Sequence, residues 1–148
     1  MLAMEKRGLA DAYEQVREFF ERLRSPEVVS VYLFGSHAEG RVHEESDLDI
    51  AVLFDRTLRM SRRDRIQSAL SLNAALQAEL GVATIDLVVL QDAPPGFARS
   101  IVLDGQRLYC RNPEVDLAFK RDVQLRAADL IPFLRRTRSI KLDALERP

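Results

Sequence analysis

Two small groups of residues, separated by ten positions, could together carry chemistry on a phosphate ester. Gly35 and Ser36 follow one apolar run, and Asp47 and Asp49 lead into another. Glycine lets the backbone approach a ligand closely, and a serine that opens a short helix would direct its N–H and hydroxyl at an anion. Two carboxylates two residues apart on a strand emerge on the same face, roughly 6.5 Å apart along the chain. That spacing suits one Mg²⁺ or a pair of ions about 3.5–4 Å apart.

The alternative interpretation is a solvated loop followed by a strand with an acidic edge. An isolated Asp-x-Asp is common and would favour that alternative. Here the pair follows an apolar strand, a Gly-Ser turn and ten intervening residues, and it stands at the head of a second apolar strand. This combination is far more specific, and it favours a site for a nucleoside triphosphate.

At these residues the chain resembles the polymerase-β-like nucleotidyltransferases, and most closely their minimal, single-domain (MNT) members. The family pattern is an apolar strand, Gly-Ser, about ten residues, Asp-x-Asp on a second strand, and a third carboxylate on a later strand. The resemblance implies that Gly35 and Ser36 bind phosphate and that Asp47 and Asp49 are metal ligands and catalytic residues.

The third carboxylate of the pattern is expected at Asp86, which lies within another apolar run. An ionised aspartate in such a strand costs free energy unless it is paired or bound to a metal. The alternative is a residue at the strand end that reaches solvent. Glu39 departs from the pattern, since many relatives carry a basic residue there, and Arg41 is a candidate substitute. The finer pattern Gly-Ser-x-Ala-x-Gly, ending Ser-Asp-x-Asp, is met by Ala38, Gly40 and Ser46.

The resemblance implies an α/β (α+β) polymerase-β-like nucleotidyltransferase fold, in which a small mixed sheet is flanked by helices and followed by a C-terminal helix. We expect a single domain over residues 1–148, with its core at about 10–112 and a C-terminal helix and basic tail at 113–148. A capping box at Ser61 and Asp64 predicts a helix start, and Pro132 is a candidate kink in the last helix. Periodicity and turn signals predict strands at 28–34, 48–54, 84–90 and 107–110, and helices at about 9–24, 61–80, 97–103 and 113–130.

Composition narrows the function classes. With 148 residues the chain is long enough for one domain with a core. A net charge of −1 argues against a dedicated nucleic-acid binder, which is usually basic. Cys110 is the only cysteine, so no internal disulfide can form and a reducing compartment is expected. Without a membrane-length apolar run or a secretory leader, we expect a cytoplasmic protein with no membrane partner.

The main functional hypothesis is a Mg²⁺-dependent enzyme that transfers a nucleoside monophosphate, AMP from ATP in the first instance, to a hydroxyl group. Asp47, Asp49 and Asp86 would hold one or two Mg²⁺ ions, and Asp86 would also help to deprotonate the acceptor. Minimal members of the family are commonly encoded beside a helical HEPN protein and act as its antitoxin. The resemblance therefore implies a HEPN-type toxin as partner in a hetero-oligomer, with a tyrosine hydroxyl as the acceptor.

Two alternatives remain open from the sequence. The same fold could neutralise its partner by stoichiometric masking, with nucleotide transfer weak or absent. It could also modify a small molecule such as an aminoglycoside, although that reaction normally needs a second domain or a dimer to enclose the substrate. Stable nucleic-acid binding is not predicted, because the basic C-terminal residues lack aromatic platforms.

Overall fold

The computed structural model describes the backbone of residues 2–35, 48–81 and 84–146, and within these ranges the side chains of residues 11–35, 48–81, 84–130 and 136. Two short 3₁₀ turns lie at Arg56–Leu58 and Leu90–Asp92. The strands are β1 (Val28–Phe34), β2 (Leu48–Phe54), β3 (Ile85–Val89) and β4 (Gln106–Cys110), and the helices are α1 (Leu2–Leu23), α2 (Arg62–Leu80), α3 (Pro95–Asp104) and α4 (Pro113–Glu146).

The four strands form one mixed sheet in the order β3-β2-β1-β4. β1 pairs antiparallel with β2 and with β4, whereas β2 and β3 are parallel and are joined through α2. At one end of the sheet, Phe34 of β1 is the register partner of Asp49 of β2, and Asp49 is the partner of Asp86 of β3. The predicted small mixed sheet flanked by helices is confirmed.

Helices cover both faces of the sheet. One face packs against α1 and α2, and the other packs against α3 and α4. Alternate residues of β2 belong to opposite faces, as the period of a strand requires. The β2 side chains on the face opposite Asp49 are buried on the α1 and α2 side: Leu48, Ile50, Val52 and Phe54.

Local signals fix the ends of α2. The Ser61 side chain accepts a hydrogen bond from the Asp64 backbone N–H, and the Asp64 carboxylate accepts one from the Ser61 N–H. This reciprocal capping box satisfies backbone donors that the helix itself cannot pair. At the other end, Gly81 adopts φ +65°, a left-handed conformation that glycine takes without steric cost. The predicted capping box is confirmed.

The outer helices are longer than predicted. α1 begins at Leu2 rather than near residue 9. α4 continues to Glu146, so the predicted helix end near Leu130 is wrong. Pro132 removes one backbone hydrogen bond and crowds the preceding turn, but a helix of 34 residues retains most of its ladder. Despite this length, no helix in the described ranges is apolar enough over a sufficient span to cross a membrane.

A buried carboxylate fastens the first turn of α4 to the sheet. Asp116 is 1% exposed and accepts hydrogen bonds from Ser30 Oγ at 2.8 Å, the Tyr32 hydroxyl at 2.7 Å and Arg107 Nη1 at 2.9 Å. Burial raises the pKa of Asp116, but the hydrogen bonds from Tyr32, Ser30 and Arg107 outweigh it and leave that pKa below its ordinary value. The same burial and the bond to Asp116 raise the pKa of Tyr32 far above its usual range.

Candidate active site

Three of the predicted site residues meet at one end of the sheet. Gly35 follows β1 directly, Asp49 is the second residue of β2, and Asp86 is the second residue of β3. Asp49 and Asp86 are register partners on parallel strands, so their side chains emerge on the same face from strands about 4.8 Å apart. That face is the one covered further along by α3 and α4. The sequence analysis assigned these three residues to one site, and the structure brings them together at one end of the sheet.

Gly35 is in direct contact with this pair. Its φ of +79° lies in the left-handed region, where a side chain is strained. A Cβ atom at this position would overlap the Asp49 carboxylate, whose Cγ would lie 3.1 Å away. Both the backbone conformation and the space therefore require glycine. The turn after β1 and the Asp49 carboxylate are packed as one unit.

The two carboxylates differ in their surroundings. Asp49 is half-buried, whereas Asp86 is exposed because β3 lies at the edge of the sheet. The Asp86 side chain therefore reaches solvent, so the expectation that it is enclosed in an apolar strand is wrong. Its register with Asp49, rather than desolvation, makes Asp86 a candidate. Ser36 and Asp47, the other two predicted site residues, lie outside the described residues.

The donor set fits a hard cation. Carboxylate oxygens are the ligands that Mg²⁺ prefers, and two of them on one sheet face suit an ion that also keeps water or phosphate ligands. Within the described ranges, no group of three or more histidine, cysteine, aspartate or glutamate residues could hold a metal ion. The predicted three-carboxylate set therefore depends on Asp47 in addition to Asp49 and Asp86.

A pocket of about 210 Å³ opens beside Gly35, between the end of β1 and α3. The Phe34 and Phe97 rings, which both line it, meet edge to face with centroids 5.6 Å apart and planes at 83°. Sequence reasoning missed this wall of the site, because 97–103 was read only as a short helix. Phe97 lies outside the stripe of buried α3 residues. An aromatic residue outside the buried stripe of a helix is the sequence signal that could have identified it as part of the site. The lining residues are Phe34, Gly35, Phe97, Ser100, Ile101, Asp104 and Gly105.

The arginine-rich segment after β2 does not join this site. It follows the opposite end of β2 from Asp49. Arg56 pairs with Asp122 of α4 at 2.7 Å, and Arg65 pairs with Asp92 at 2.6 Å. This segment is thus partly an ion-paired surface that connects the 3₁₀ turns with α2 and α4.

The chain was compared with protein families, curated proteins and solved structures. The model of the family described as polymerase beta, nucleotidyltransferase matches residues 14–114. This range covers more than half of the chain and includes both the Gly-Ser turn and all three predicted carboxylates.

A curated relative, the protein adenylyltransferase MntA of Shewanella oneidensis, is 36% identical over 84 residues. The alignment covers 57% of this chain and 55% of the relative. The chain thus spans about half the length of the curated relative that it matches.

Two solved structures share the fold over most of the chain. A chain of a toxin–antitoxin crystal structure with AMP-PNP has a TM-score of 0.59 and 26% identity, covering 91% of this chain and 98% of that chain. A structure of a tri-AMPylated Shewanella oneidensis HEPN toxin in complex with an MNT antitoxin gives a TM-score of 0.55 and 23% identity, covering 94% of this chain and 99% of that one. At 23% identity the second likeness concerns the fold alone.

Proposed function

Because the chain belongs to the polymerase beta nucleotidyltransferase family, we propose that it transfers AMP from ATP to a hydroxyl group of a HEPN-type toxin and thereby acts as the antitoxin. The observation that carries this proposal is the register of Asp49 with Asp86 beside the left-handed Gly35. It combines a turn whose backbone can approach a phosphate closely with two carboxylates on one face of the sheet. Nucleotidyl transfer needs both a phosphate-binding turn and carboxylates that bind metal.

Each residue has a distinct proposed task. Gly35 and Ser36 bind the outer phosphates through backbone and hydroxyl donors, and Asp47, Asp49 and Asp86 would hold Mg²⁺. When bound, Mg²⁺ would neutralise the charge of the triphosphate and of the leaving pyrophosphate.

Asp86 accepts the proton of the acceptor hydroxyl. The hydroxyl oxygen then forms a bond to the α-phosphorus, and the bond from that phosphorus to the bridging oxygen breaks. The products are the AMP-modified acceptor and pyrophosphate.

The exposure of Asp86 supports a macromolecular acceptor. Its strand is at the edge of the sheet and its side chain is open to solvent. A hydroxyl on the surface of a large partner can reach such a position without entering a closed pocket. The names of the similar proteins, an adenylyltransferase and a toxin–antitoxin complex, support a toxin in a hetero-oligomer as that partner. That this toxin is of the HEPN type rests on the family resemblance. We propose a tyrosine hydroxyl as the acceptor and the cytoplasm as the location.

Mass spectrometry of the partner tests the proposal directly. The neighbouring genes are searched for a HEPN-type protein, which is then incubated with the chain, Mg²⁺ and ATP while its mass is followed. We expect additions of whole AMP units, lost in Asp49→Asn and reduced by about 10²–10⁴-fold in Asp86→Asn, because general-base help is worth that much. Asp11→Asn, an exposed aspartate on α1, is the matched control and leaves transfer intact. Partner protein that stays unmodified by the wild-type chain would refute the enzymatic proposal.

One observation favours stoichiometric masking as the second candidate. α4 exposes Leu117 and Leu125, at 48% and 68%, on a helix of 34 residues. Neutralisation of the toxin by an Asp49→Asn/Asp86→Asn double variant, as complete as by the wild type, would support masking. Loss of neutralisation together with retained complex formation would exclude it.

A further inference from the structure

A second pocket, of about 240 Å³, lies at the opposite end of β2 from Asp49. Its lining includes Phe54, the last residue of β2, and Phe119 of α4, and both of these side chains are buried. At about 3.4 Å per residue, Phe54 lies about 17 Å along the strand from Asp49. The pocket is therefore remote from the carboxylates of the candidate active site.

We propose that this pocket binds the diphosphate group of a small molecule, either inorganic pyrophosphate or a nucleoside diphosphate. Four arginines hold the ligand as two pairs, Arg56 with Arg126 and Arg59 with Arg65. The proposed transfer of AMP uses none of these residues, so this second site goes beyond that function and does not depend on it.

The lining of the pocket carries an excess of positive charge. The Asp55 carboxylate already accepts hydrogen bonds from the N–H and the hydroxyl of Thr57 and from the Arg111 guanidinium. A concave surface with this balance of charge attracts an anion. Among the described residues that line the pocket, the charged ones are four arginines and one acid: Arg56, Arg59, Arg65, Arg126 and Asp55.

The first pair of arginines shares one carboxylate. Arg56 Nη2 donates to Asp122 Oδ2 at 2.7 Å, and Arg126 Nη2 donates to the same oxygen at 2.6 Å. One carboxylate can neutralise only one of the two guanidinium charges, although it holds both groups close together. The Arg56 guanidinium also lies 5.5 Å from the centroid of the Phe119 ring, a cation–π contact that restricts its orientation.

The second pair combines a fixed guanidinium with a free one. Arg65 donates two hydrogen bonds to the Asp92 carboxylate, at 3.1 and 2.6 Å, and one to the Met60 carbonyl at 2.6 Å. Arg59 immediately precedes Met60, is exposed, and forms no ion pair with any residue in the described ranges. Its positive charge is therefore available to a ligand.

The backbone of Arg59 indicates that the side chain matters at this position. Arg59 has φ +51° at the end of the first 3₁₀ turn, in the left-handed region. Glycine and asparagine adopt this conformation more readily than arginine does. Backbone strain of this kind is concentrated at functional sites. An arginine that keeps a strained turn at the rim of a basic pocket is consistent with a role of its guanidinium in binding.

Two pairs of guanidinium groups suit a ligand with two phosphate groups. The planar guanidinium donates in parallel to two oxygens of one phosphate, and such charge-assisted hydrogen bonds are strong. The buried Phe54 and Phe119 rings lower the dielectric constant beside the arginines, which strengthens their attraction for an anion. Pockets that enclose an entire drug-sized molecule are typically about 300–1,000 Å³. With about 240 Å³, this pocket holds the diphosphate and leaves any attached nucleoside outside.

Calorimetry in the presence of EDTA tests the proposal with pyrophosphate, ADP and phosphate. Without Mg²⁺, the aspartates at the other end of the sheet repel these anions. We expect pyrophosphate to bind the wild type, and phosphate to bind more weakly because it engages one pair of arginines. Arg59→Asn should weaken pyrophosphate binding by about 10-fold, since a hydrogen bond to a charged group contributes this much.

Arg24→Asn is the matched control. Arg24 is also exposed, also has a left-handed backbone, at φ +45°, and lies outside the pocket. The substitution removes the same charge from the same backbone conformation, and pyrophosphate binding should not change. Asparagine tolerates this conformation, so neither variant should have a lower Tm. A loss of binding in Arg59→Asn therefore reports on the side chain and not on the fold.

The ADP measurement distinguishes the two sources of the diphosphate. An affinity for ADP above that for pyrophosphate, reduced by Arg59→Asn, identifies a nucleotide, and an affinity no higher than that for pyrophosphate identifies pyrophosphate itself. Absence of pyrophosphate binding to the wild type, or equal losses in Arg59→Asn and Arg24→Asn, would overturn the proposal. Phosphate that binds as tightly as pyrophosphate would overturn the assignment of a diphosphate. None of these results would affect the proposed AMP transfer, which is measured separately.

Discussion

Replacing Gly35 by alanine separates two effects that coincide at the turn after β1. The first is the left-handed conformation, at φ +79°, which costs an alanine about 1–2 kcal/mol. The second is the contact with Asp49, since the added Cβ would overlap its carboxylate. The carboxylate must then move, and a misplacement of about 1 Å in a catalytic group can lower a rate by about 100-fold.

Gly81→Ala is the matched control, because Gly81 shares the left-handed backbone conformation but an added Cβ would contact no neighbouring side chain. Gly81 has φ +65°, and a Cβ added to it would meet nothing within 4 Å. Both variants should lose about 1–2 kcal/mol of unfolding free energy. At about 2–4 °C per kcal/mol for a chain of this size, the two Tm values should fall by similar amounts.

Activity distinguishes the two variants. We expect AMP transfer to fall by about 100-fold in Gly35→Ala and to stay near the wild-type rate in Gly81→Ala, measured below both Tm values. Equal rates in the two variants would show that the Gly35–Asp49 contact does not position the carboxylate. That result would remove the packing of Gly35 against Asp49 as a basis for the active-site assignment.

Three further outcomes are expected from the packing of the helices. Asp116→Ala leaves the buried Ser30 and Tyr32 hydroxyls without their acceptor and should cost about 2–5 kcal/mol in urea denaturation; a loss below 1 kcal/mol would contradict this account. Because the folded pKa of Asp116 lies below its ordinary value near 3.8, its contribution is present above that pH and is lost as the pH falls through the folded pKa. Stability measured from pH 6 to pH 3 should therefore decline less steeply in Asp116→Asn. Ser61→Ala removes half of the capping box and should cost about 1 kcal/mol without changing AMP transfer.

Strands β1 and β2 have the bounds that the sequence predicts, because each is a compact apolar run ended by a turn signal. The ends of α2 were equally accessible, since the capping box and Gly81 are local features. Such elements depend on interactions within a few residues. They can be read without knowledge of the rest of the chain.

The remaining features depend on contacts that are distant in sequence. The parallel register that places Asp86 beside Asp49 is set by the packing of α2 on the sheet. Phe97 becomes a candidate site residue only because α3 packs beside the end of β1, where its ring contacts Phe34. The length of α4 was underestimated because Pro132 was weighted as a local break. In each case a long-range arrangement decides what the local pattern leaves open.

The parallel pairing of β2 with β3 fixes Asp86 beside Asp49 through the strand register, which can shift only by whole residues. Side chains alternate between the faces of a strand, so a slip of one residue would move Asp86 to the face covered by α1 and α2. A slip of two residues would return it to the correct face, roughly 6.5 Å from its present position. The separation of the two carboxylates can therefore change only in large steps. Evolution or engineering of the segment before β3 should yield site variants that retain this geometry or lose it outright, with few graded intermediates.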